Sequence, residues 1–384
     1  MAINASANAA VLRAINRAID ERGEIGVQVA AYLGDELVID AWGGLADPQT
    51  GRAVDGDTLF NVFSVTKAVA STTIHLQAER GLLDYDAPIA QYWPEWGCNG
   101  KERATVRDAL THHTGTPQMP EGVTPEKICD WDYMVDAIAE LEPLFPVGEQ
   151  LAYQAQNFGW VLGEIVRRTD PQGRSYQQYI QQELCEPLGI TDLWVGIPEA
   201  VEPRIARLVD ANADAPRPPA ESLLVKAIPH AIWLTPEVYE RTDVRRACIA
   251  ATGGIFSARS EARFWALLAN GGELDGVRLL SRSRVDAICQ PRQNNTPDPV
   301  HFNWVLPLSQ SGYWMHSDDM PDVCPASGKR TICVPGAGGS LGWADPDTGL
   351  AVAFCHNHMR MPATCEDHPA YEIANVIRES LGLT

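Results

Sequence analysis

Ser64 and Lys67 stand three residues apart in Phe63-Ser64-Val65-Thr66-Lys67-Ala68-Val69-Ala70, where an apolar run begins that stops at Gly81. The turn-rich Asp55-Gly56-Asp57-Thr58 precedes them, and Val65, Ala68, Val69, Thr72 and Leu76 recur at helical spacing. The pattern predicts a mostly buried helix with Ser64 in its first turn and Lys67 one turn on, on the same face. A serine at a helix N-terminus has free backbone N–H groups and a positive dipole end beside it. A lysine pressed into such a site is costly to keep charged, and a neutral amine can take a serine proton and turn a weak nucleophile into a useful one. Taken alone, the pair is better explained as an N-cap serine with a solvated lysine, because Ser and Lys meet at this spacing in many ordinary helices.

Two further stretches could serve the same chemistry. In Leu151-Ala152-Tyr153-Gln154-Ala155-Gln156-Asn157-Phe158-Gly159-Trp160, a tyrosine follows the turn Pro146-Val147-Gly148-Glu149 and precedes a helix. A tyrosine so placed can relay a proton between nucleophile and leaving group; alone it is an ordinary core tyrosine. In Val334-Pro335-Gly336-Ala337-Gly338-Gly339-Ser340-Leu341-Gly342, small residues let a substrate lie against the backbone and leave an N–H for an oxyanion. By composition this is equally a Gly-rich turn. Gly338-Gly339-Ser340-Leu341-Gly342 also matches the Gly-x-Ser-x-Gly elbow of α/β-hydrolases. That fold needs an acid and then a histidine after the serine, normally with helices and strands between; only the short tail from Trp343 to Thr384 remains, and no run of alternating strands and helices before it supports a parallel sheet, so Ser340 is set aside. His112 and His113, before Thr114-Gly115, are expected to cap a helix end as cations. His356-Asn357-His358 beside Cys355 ends an apolar strand and is not expected to bind metal.

The elements that must position these residues are legible in outline. A helix near Ala9–Arg22 precedes apolar runs Ile25–Leu33 and Leu37–Trp42, which flank Gly34-Asp35-Glu36 as a hairpin. Helical segments follow near Thr105–His112, Trp131–Leu141, Phe158–Thr169 and Tyr176–Cys185, then Ser260–Asn270 and a closing Tyr371–Leu381. Strands are expected near Phe302–Leu306, Thr331–Val334, Leu341–Ala344 and Leu350–His356. Val201–Pro229, rich in proline and charge, is expected to be an exposed loop or lid. With β-rich material at both ends, the simplest assembly is one antiparallel sheet flanked by the terminal helices. The fold class is α+β, an α/β sandwich. Residues 1–86 and 250–384 are expected to form the sheet domain, with 87–249 inserted as a helical domain.

At 384 residues the chain can bury a large core, and its formal net charge of -20 argues against nucleic acid and anionic membranes as partners. The start has neither a basic nor a continuous apolar segment, and no run is long enough to span a bilayer. Nine scattered cysteines, with no Cys-x-x-Cys, suit reduced thiols and a cytoplasmic location. No metal and no cofactor are expected, and the oligomeric state is open.

Ser64-x-x-Lys67, Tyr153 and Val334-Pro335-Gly336, in this order, resemble the three motifs of serine β-lactamases and penicillin-binding proteins, above all the class C β-lactamase-like family VIII carboxylesterases. Supporting stretches include Asp108-Ala109-Leu110-Thr111-His112-His113-Thr114-Gly115, Thr252-Gly253-Gly254-Ile255-Phe256-Ser257 and Gly342-Trp343-Ala344-Asp345-Pro346, and the likeness runs from about Ile25 to Asn357. The resemblance implies a β-lactamase/transpeptidase-like fold. Ser64 would be the acylated nucleophile, Lys67 its base or base partner, and Tyr153 the relay. The N–H groups of Ser64 and Ala337 would form an oxyanion hole, with Gly336, Val334 and Asn157 at the substrate. Two departures stand out. Val334 occupies a place that usually holds Lys, His or Trp, and Ala155 stands where the tyrosine motif usually has Asn. Both point away from β-lactams and toward a small-molecule ester cleaved through an acyl-enzyme. The alternatives are an acyltransferase that passes the acyl group to an alcohol or amine, and a catalytically weak binding protein on the same scaffold. Trp160, Trp233, Trp304 and Trp314 are candidates for an apolar acyl pocket.

Overall fold

The computed structural model describes residues 3–293, 296–316, 328–360 and 367–383. The expected hairpin is formed by Gly26–Leu33 and Glu36–Asp47. Leu350–His356 pairs antiparallel with the free side of Gly26–Leu33, matching Val27 to His356 and Leu33 to Leu350. Leu341–Asp345, Ile332–Pro335 and Trp314–Met315 continue outward, and Arg52–Ala53 closes the opposite edge. The two ends of the chain thus merge in one seven-stranded antiparallel sheet.

Register assigns its faces. Gly342, Ala353, Ala30 and Asp40 are successive cross-strand partners and share one face. Helix Ala258–Ala269 covers it: Arg259 pairs with Asp40 at 2.7 Å, and Trp265 lies directly over Gly342. His356, Val27 and Gly43 share the other face. Helices Ala5–Arg22 and Pro369–Leu381 cover that side, with Ile15 and Ile19 on Gly43 and His368 on Phe354. The buried stripe of the first helix, Val11, Ala14, Ile15 and Ala18, explains why it docks. Each fully buried Val or Ile contributes roughly 1.5–3 kcal/mol.

Helix Thr66–Glu79 has no solvent face, being buried from Thr66 to Gln77. Its polar side chains therefore turn inward onto partners, Gln77 through its Nε2 alone. Thr72 Oγ1 meets Ala68 O at 2.8 Å and the Tyr313 hydroxyl at 2.7 Å, Thr73 Oγ1 meets the Tyr176 hydroxyl at 2.8 Å, and His75 bridges the Tyr85 hydroxyl and Ser311 O. Helix Phe158–Thr169 packs alongside. A second, three-stranded antiparallel sheet joins Phe60–Phe63, Gly254–Phe256 and Leu193–Val195. Strands of three or four residues carry too little periodicity to be read from sequence.

Other expectations need correction. Phe302–Leu306 is not a strand: Phe302 and Asn303 have φ of +53° and +62°, and pairing is limited to a bridge between Asp298 and Trp304. Within Val201–Pro229, only about 211–221 is an exposed loop; Val209–Asp210 pairs with His358–Met359, and Leu223–Ala227 is helical. The seven cysteines among the described residues are free thiols, and Cys324 and Cys365 lie outside those residues. Among the described residues no helix is long and apolar enough to cross a membrane.

Glu261, on the sheet-covering helix, is fully buried and among the described residues hydrogen-bonds only the Cys355 thiol at 3.2 Å and the Trp265 indole at 3.4 Å. Burial pushes its carboxyl up to about 8 from the ordinary 4.5. The native state therefore holds this proton more tightly than the unfolded chain. The associated stability is complete below about pH 4.5 and is lost as pH rises through 8. Glu261→Gln, which keeps the shape without the charge, should melt higher than wild type at pH 8.5 and gain far less at pH 5. At ~1.4 kcal/mol per pK unit the difference reaches a few kcal/mol. Urea unfolding of both proteins at the two pH values measures it, and parallel pH dependences would contradict it.

Candidate active site

The helix begins at Thr66 with Val65 as its cap, so Ser64 precedes the helix instead of lying in its first turn. The cause is a sharp turn. Asn61 Oδ1 accepts the Phe63 N–H at 3.0 Å, and Phe63 takes a left-handed φ of +46°. A bulky residue in that region is strained, and such strain persists only where surrounding contacts impose it. Here Thr66 Oγ1 donates to Phe63 O and accepts from Gly254 N–H at 2.8 Å, while the Phe63 ring lies 5.1 Å from that of Tyr239.

Lys67 Nζ lies 3.1 Å from Ser64 Oγ, 2.7 Å from Ala155 O and 3.1 Å from Ala251 O. The two carbonyls come from separate stretches that meet because helix Phe158–Thr169 has a glycine, Gly159, in its first turn. A methyl group at Gly159 would stand 2.3 Å from the Ala250 carbonyl carbon. Both residues are buried, Lys67 at 2% exposure and Ser64 at 9%, so the serine is the more accessible of the two. Burial holds the lysine well below its ordinary range. A neutral amine has two N–H donors and one lone pair. The carbonyls can only accept, so they take both protons and leave the lone pair facing the Ser64 hydroxyl. Ala155 thus contributes through its backbone what an asparagine side chain does not supply.

Tyr153 has its phenol raised well above the ordinary value by burial, with the nearby Ser64 side chain opposing the shift. Its ring is gripped by His112 at 4.5 Å, by His301 edge-on at 4.6 Å and by Trp314 edge-on at 6.2 Å, and Lys67 Nζ lies 5.1 Å from its centre. Its backbone N–H donates to Asp298 Oδ1 at 3.1 Å.

The Val334–Ala337 stretch ends its strand against the approach to Ser64. A methyl group at Gly336 would fall 2.3 Å from Val62 O, so only glycine fits. The Gly336 N–H is taken by Ser340 O at 2.7 Å, which leaves Ala337 as the next amide along the turn. Gly338 and Gly339, at φ +89° and +116°, close it. Ser340 is buried, its Oγ accepting from His356 N–H, and serves this turn. Val334 is buried and paired with Gly342, adding no charge or donor.

Asn157 is not brought to the serine. Its amide donates to Thr116 O at 2.7 Å and Gln118 O at 2.9 Å and accepts from Gln154 at 2.9 Å, tying loop 112–118 to the helix start. Of the tryptophans, Trp314 reaches Tyr153, Trp160 is core, Trp233 lies beside His230, and Trp304 is 53% exposed. The histidines do not cap as cations. Burial holds His112 well below the usual imidazole range and His113 at about 4, and the His112 ring accepts the Gln154 N–H. Asp298 and His301 escaped the sequence reading. Their only signal is an acid and an imidazole three residues apart in Pro297-Asp298-Pro299-Val300-His301.

The chain is similar to known proteins. The esterase/beta-lactamase LipL of Mycobacterium tuberculosis is 35% identical over 387 aligned positions, covering 97% of this chain and 86% of that protein. A crystal structure of a family VIII carboxylesterase superposes with a TM-score of 0.89 at 27% identity over 99% of both chains. A penicillin-binding protein homologue from Caulobacter crescentus does so with 0.84 at 28% identity, covering 98% of this chain and 99% of that one. Residues 12–375 match the Beta-lactamase family model. The chain belongs to the beta-lactamase family.

Proposed function

We propose that this protein is a serine carboxylesterase that hydrolyses small-molecule esters through an acyl-enzyme on Ser64. The observation that carries the reading is the Lys67 amine, whose N–H groups are both held by carbonyls while its lone pair meets Ser64 Oγ. Lys67 takes the Ser64 proton as Oγ attacks the ester carbonyl carbon. The oxyanion is received by the N–H groups of Ser64 and Ala337. Tyr153, kept as a phenol by burial, protonates the departing alkoxide, and the Lys67 ammonium, which holds the proton taken from Ser64, returns one to the phenolate, so the alcohol leaves neutral. Water then cleaves the acyl–Oγ bond. The unpaired thiols suit a cytoplasmic setting.

Esters are favoured over β-lactams because Val334 offers nothing to a substrate carboxylate. A hydrogen bond to a charged group contributes roughly 1.5–3 kcal/mol, about 10- to 150-fold in rate. Side-by-side assays with a short-chain nitrophenyl ester and a chromogenic cephalosporin should give kcat/KM about 10- to 150-fold higher for the ester. Equal rates, or turnover of the lactam alone, would overturn the assignment.

A further inference from the structure

The turn that carries the Ala337 N–H is held at both ends. On the serine side, Gly336 lies against Val62 O, which also accepts the Val65 N–H at 3.2 Å, so this end rests on the bend that presents Ser64. On the far side, Gly338 packs on Met359, and its carbonyl accepts the Arg360 N–H at 3.1 Å. Within the turn, Gly336 O accepts the Gly339 N–H at 3.0 Å. The half-buried Ala337 lies between, and no described residue accepts its N–H.

Behind the far end stands a buried group that the mechanism above does not use. A methyl group at Gly339 would stand 2.9 Å from the Nε2 atoms of both His356 and His368, so two imidazoles press on this residue, whose φ is +116°. Their orientations are fixed. His356 Nδ1 meets Glu24 Oε2 at 2.8 Å, the two side chains being 4% and 1% exposed. A carboxylate only accepts, so Nδ1 carries the proton and Nε2 is turned on Gly339. Burial would raise the Glu24 carboxyl, but His356 beside it outweighs burial and holds it below its ordinary range. His368 Nδ1 accepts the Ala370 N–H at 3.1 Å, which puts the ring proton on Nε2, also at Gly339. Burial holds this imidazole at about 4, so it is neutral at working pH. His358 and Arg360 are the other titratable or charged neighbours, with Asp210 beside His358. Among the described residues these groups do not come together as ligands for a metal ion. Taking a carboxylate and an imidazole out of water costs more than packing apolar side chains there, so stability alone does not account for the pair.

We propose that Glu24, His356 and His368 are positioning residues for the oxyanion hole: the two imidazoles set Gly339, and through its bond to Gly336 O they set where the Ala337 N–H points. The proposal rests on the acyl-enzyme reading above. The tetrahedral intermediates of acylation and deacylation place their oxyanion at the same N–H, so a turn that shifts slows both steps together. The group also ties the N-terminal helix to the site. Glu24 directly follows that helix and its Gly23 cap, and Arg360 Nη1 donates to Arg22 O at 2.6 Å.

The test reads the oxyanion directly with a short-chain trifluoromethyl ketone. Ser64 Oγ bonds to its carbonyl carbon, the carbonyl oxygen becomes an alkoxide, and the serine proton goes to Lys67. Its affinity therefore reports the N–H donors, whereas the matching methyl ketone, which stays a ketone, reports ground-state binding alone. His356→Leu and His368→Leu should each lower kcat by about 10- to 100-fold with KM within about twofold, less than the 10²–10³-fold of a deleted donor. Glu24→Gln, which keeps the shape and answers if a leucine variant does not fold, should lower it by about 3- to 10-fold. In each, the trifluoromethyl ketone should weaken by the same factor as kcat, and the methyl ketone should not. A merely structural defect would lower the fraction of Ser64 titrated by a nitrophenol burst and leave the affinity of the remaining enzyme as in wild type. That result, or full affinity with a full burst, would overturn the proposal. Wild type that forms no adduct with the trifluoromethyl ketone, or Ser64→Ala that binds it equally, is a different result, and it would remove the acyl-enzyme reading and the proposal with it.

Discussion

Lys67→Met should lower kcat/KM for a short-chain ester by about 10³–10⁴-fold, the upper range for loss of a general base. Lys67→Arg should do no better. The pocket around Nζ is built for a neutral amine: two carbonyls take its protons, and burial drives it below its ordinary range. A guanidinium stays protonated at any working pH and cannot accept the Ser64 proton. The same cause fixes a pH dependence. Because burial lowers the lysine, acylation should rise with pH on a limb well below 10.5, being lost at low pH as the amine becomes charged. Both variants should lack that limb. Steady-state kinetics across pH measures the loss and the profile together, and a Lys67→Arg enzyme with near wild-type activity would contradict the role.

Tyr153→Phe should cost about 10²–10³-fold, and the loss should depend on the alcohol being expelled. Phenylalanine keeps the ring contacts with His112, His301 and Trp314, so the melting temperature should stay within a few degrees of wild type. What is lost is the proton for the leaving oxygen. A nitrophenolate departs readily without one, whereas an alkoxide does not. The penalty should therefore be small for nitrophenyl esters and large for the matching ethyl ester. An equal penalty for both would show that Tyr153 acts on Ser64 and not on the leaving group.

The parts of this site that were legible in the sequence are those whose chemistry resides in a side chain within a short motif. Lys67 meets Ser64, Tyr153 lies against both, and Gly336 marks a close backbone approach to Val62. The sheet was legible because its long strands alternate or run apolar, as Gly26–Leu33 and Leu350–His356 do. Three features were hidden for physical reasons. Backbone carbonyls bear no residue type, so nothing marked Ala155 and Ala251 as the partners of Lys67. Asp298 lies 145 positions from the tyrosine it holds, a distance at which no periodicity operates. The run from Phe302 to Leu306 has the composition of a strand, yet it is a strained loop with Phe302 69% exposed, shaped by what it presents and not by burial.

The most direct test of the central claim is intact-mass spectrometry of wild type and Ser64→Ala after brief exposure to a short-chain nitrophenyl ester, with turnover read from the same samples. Wild type should gain one acyl group with a nitrophenol burst, and Ser64→Ala should gain no mass and release no nitrophenol above the uncatalysed rate. Ser64→Ala that turns over like wild type, or wild type that neither acylates nor turns over, would contradict the account.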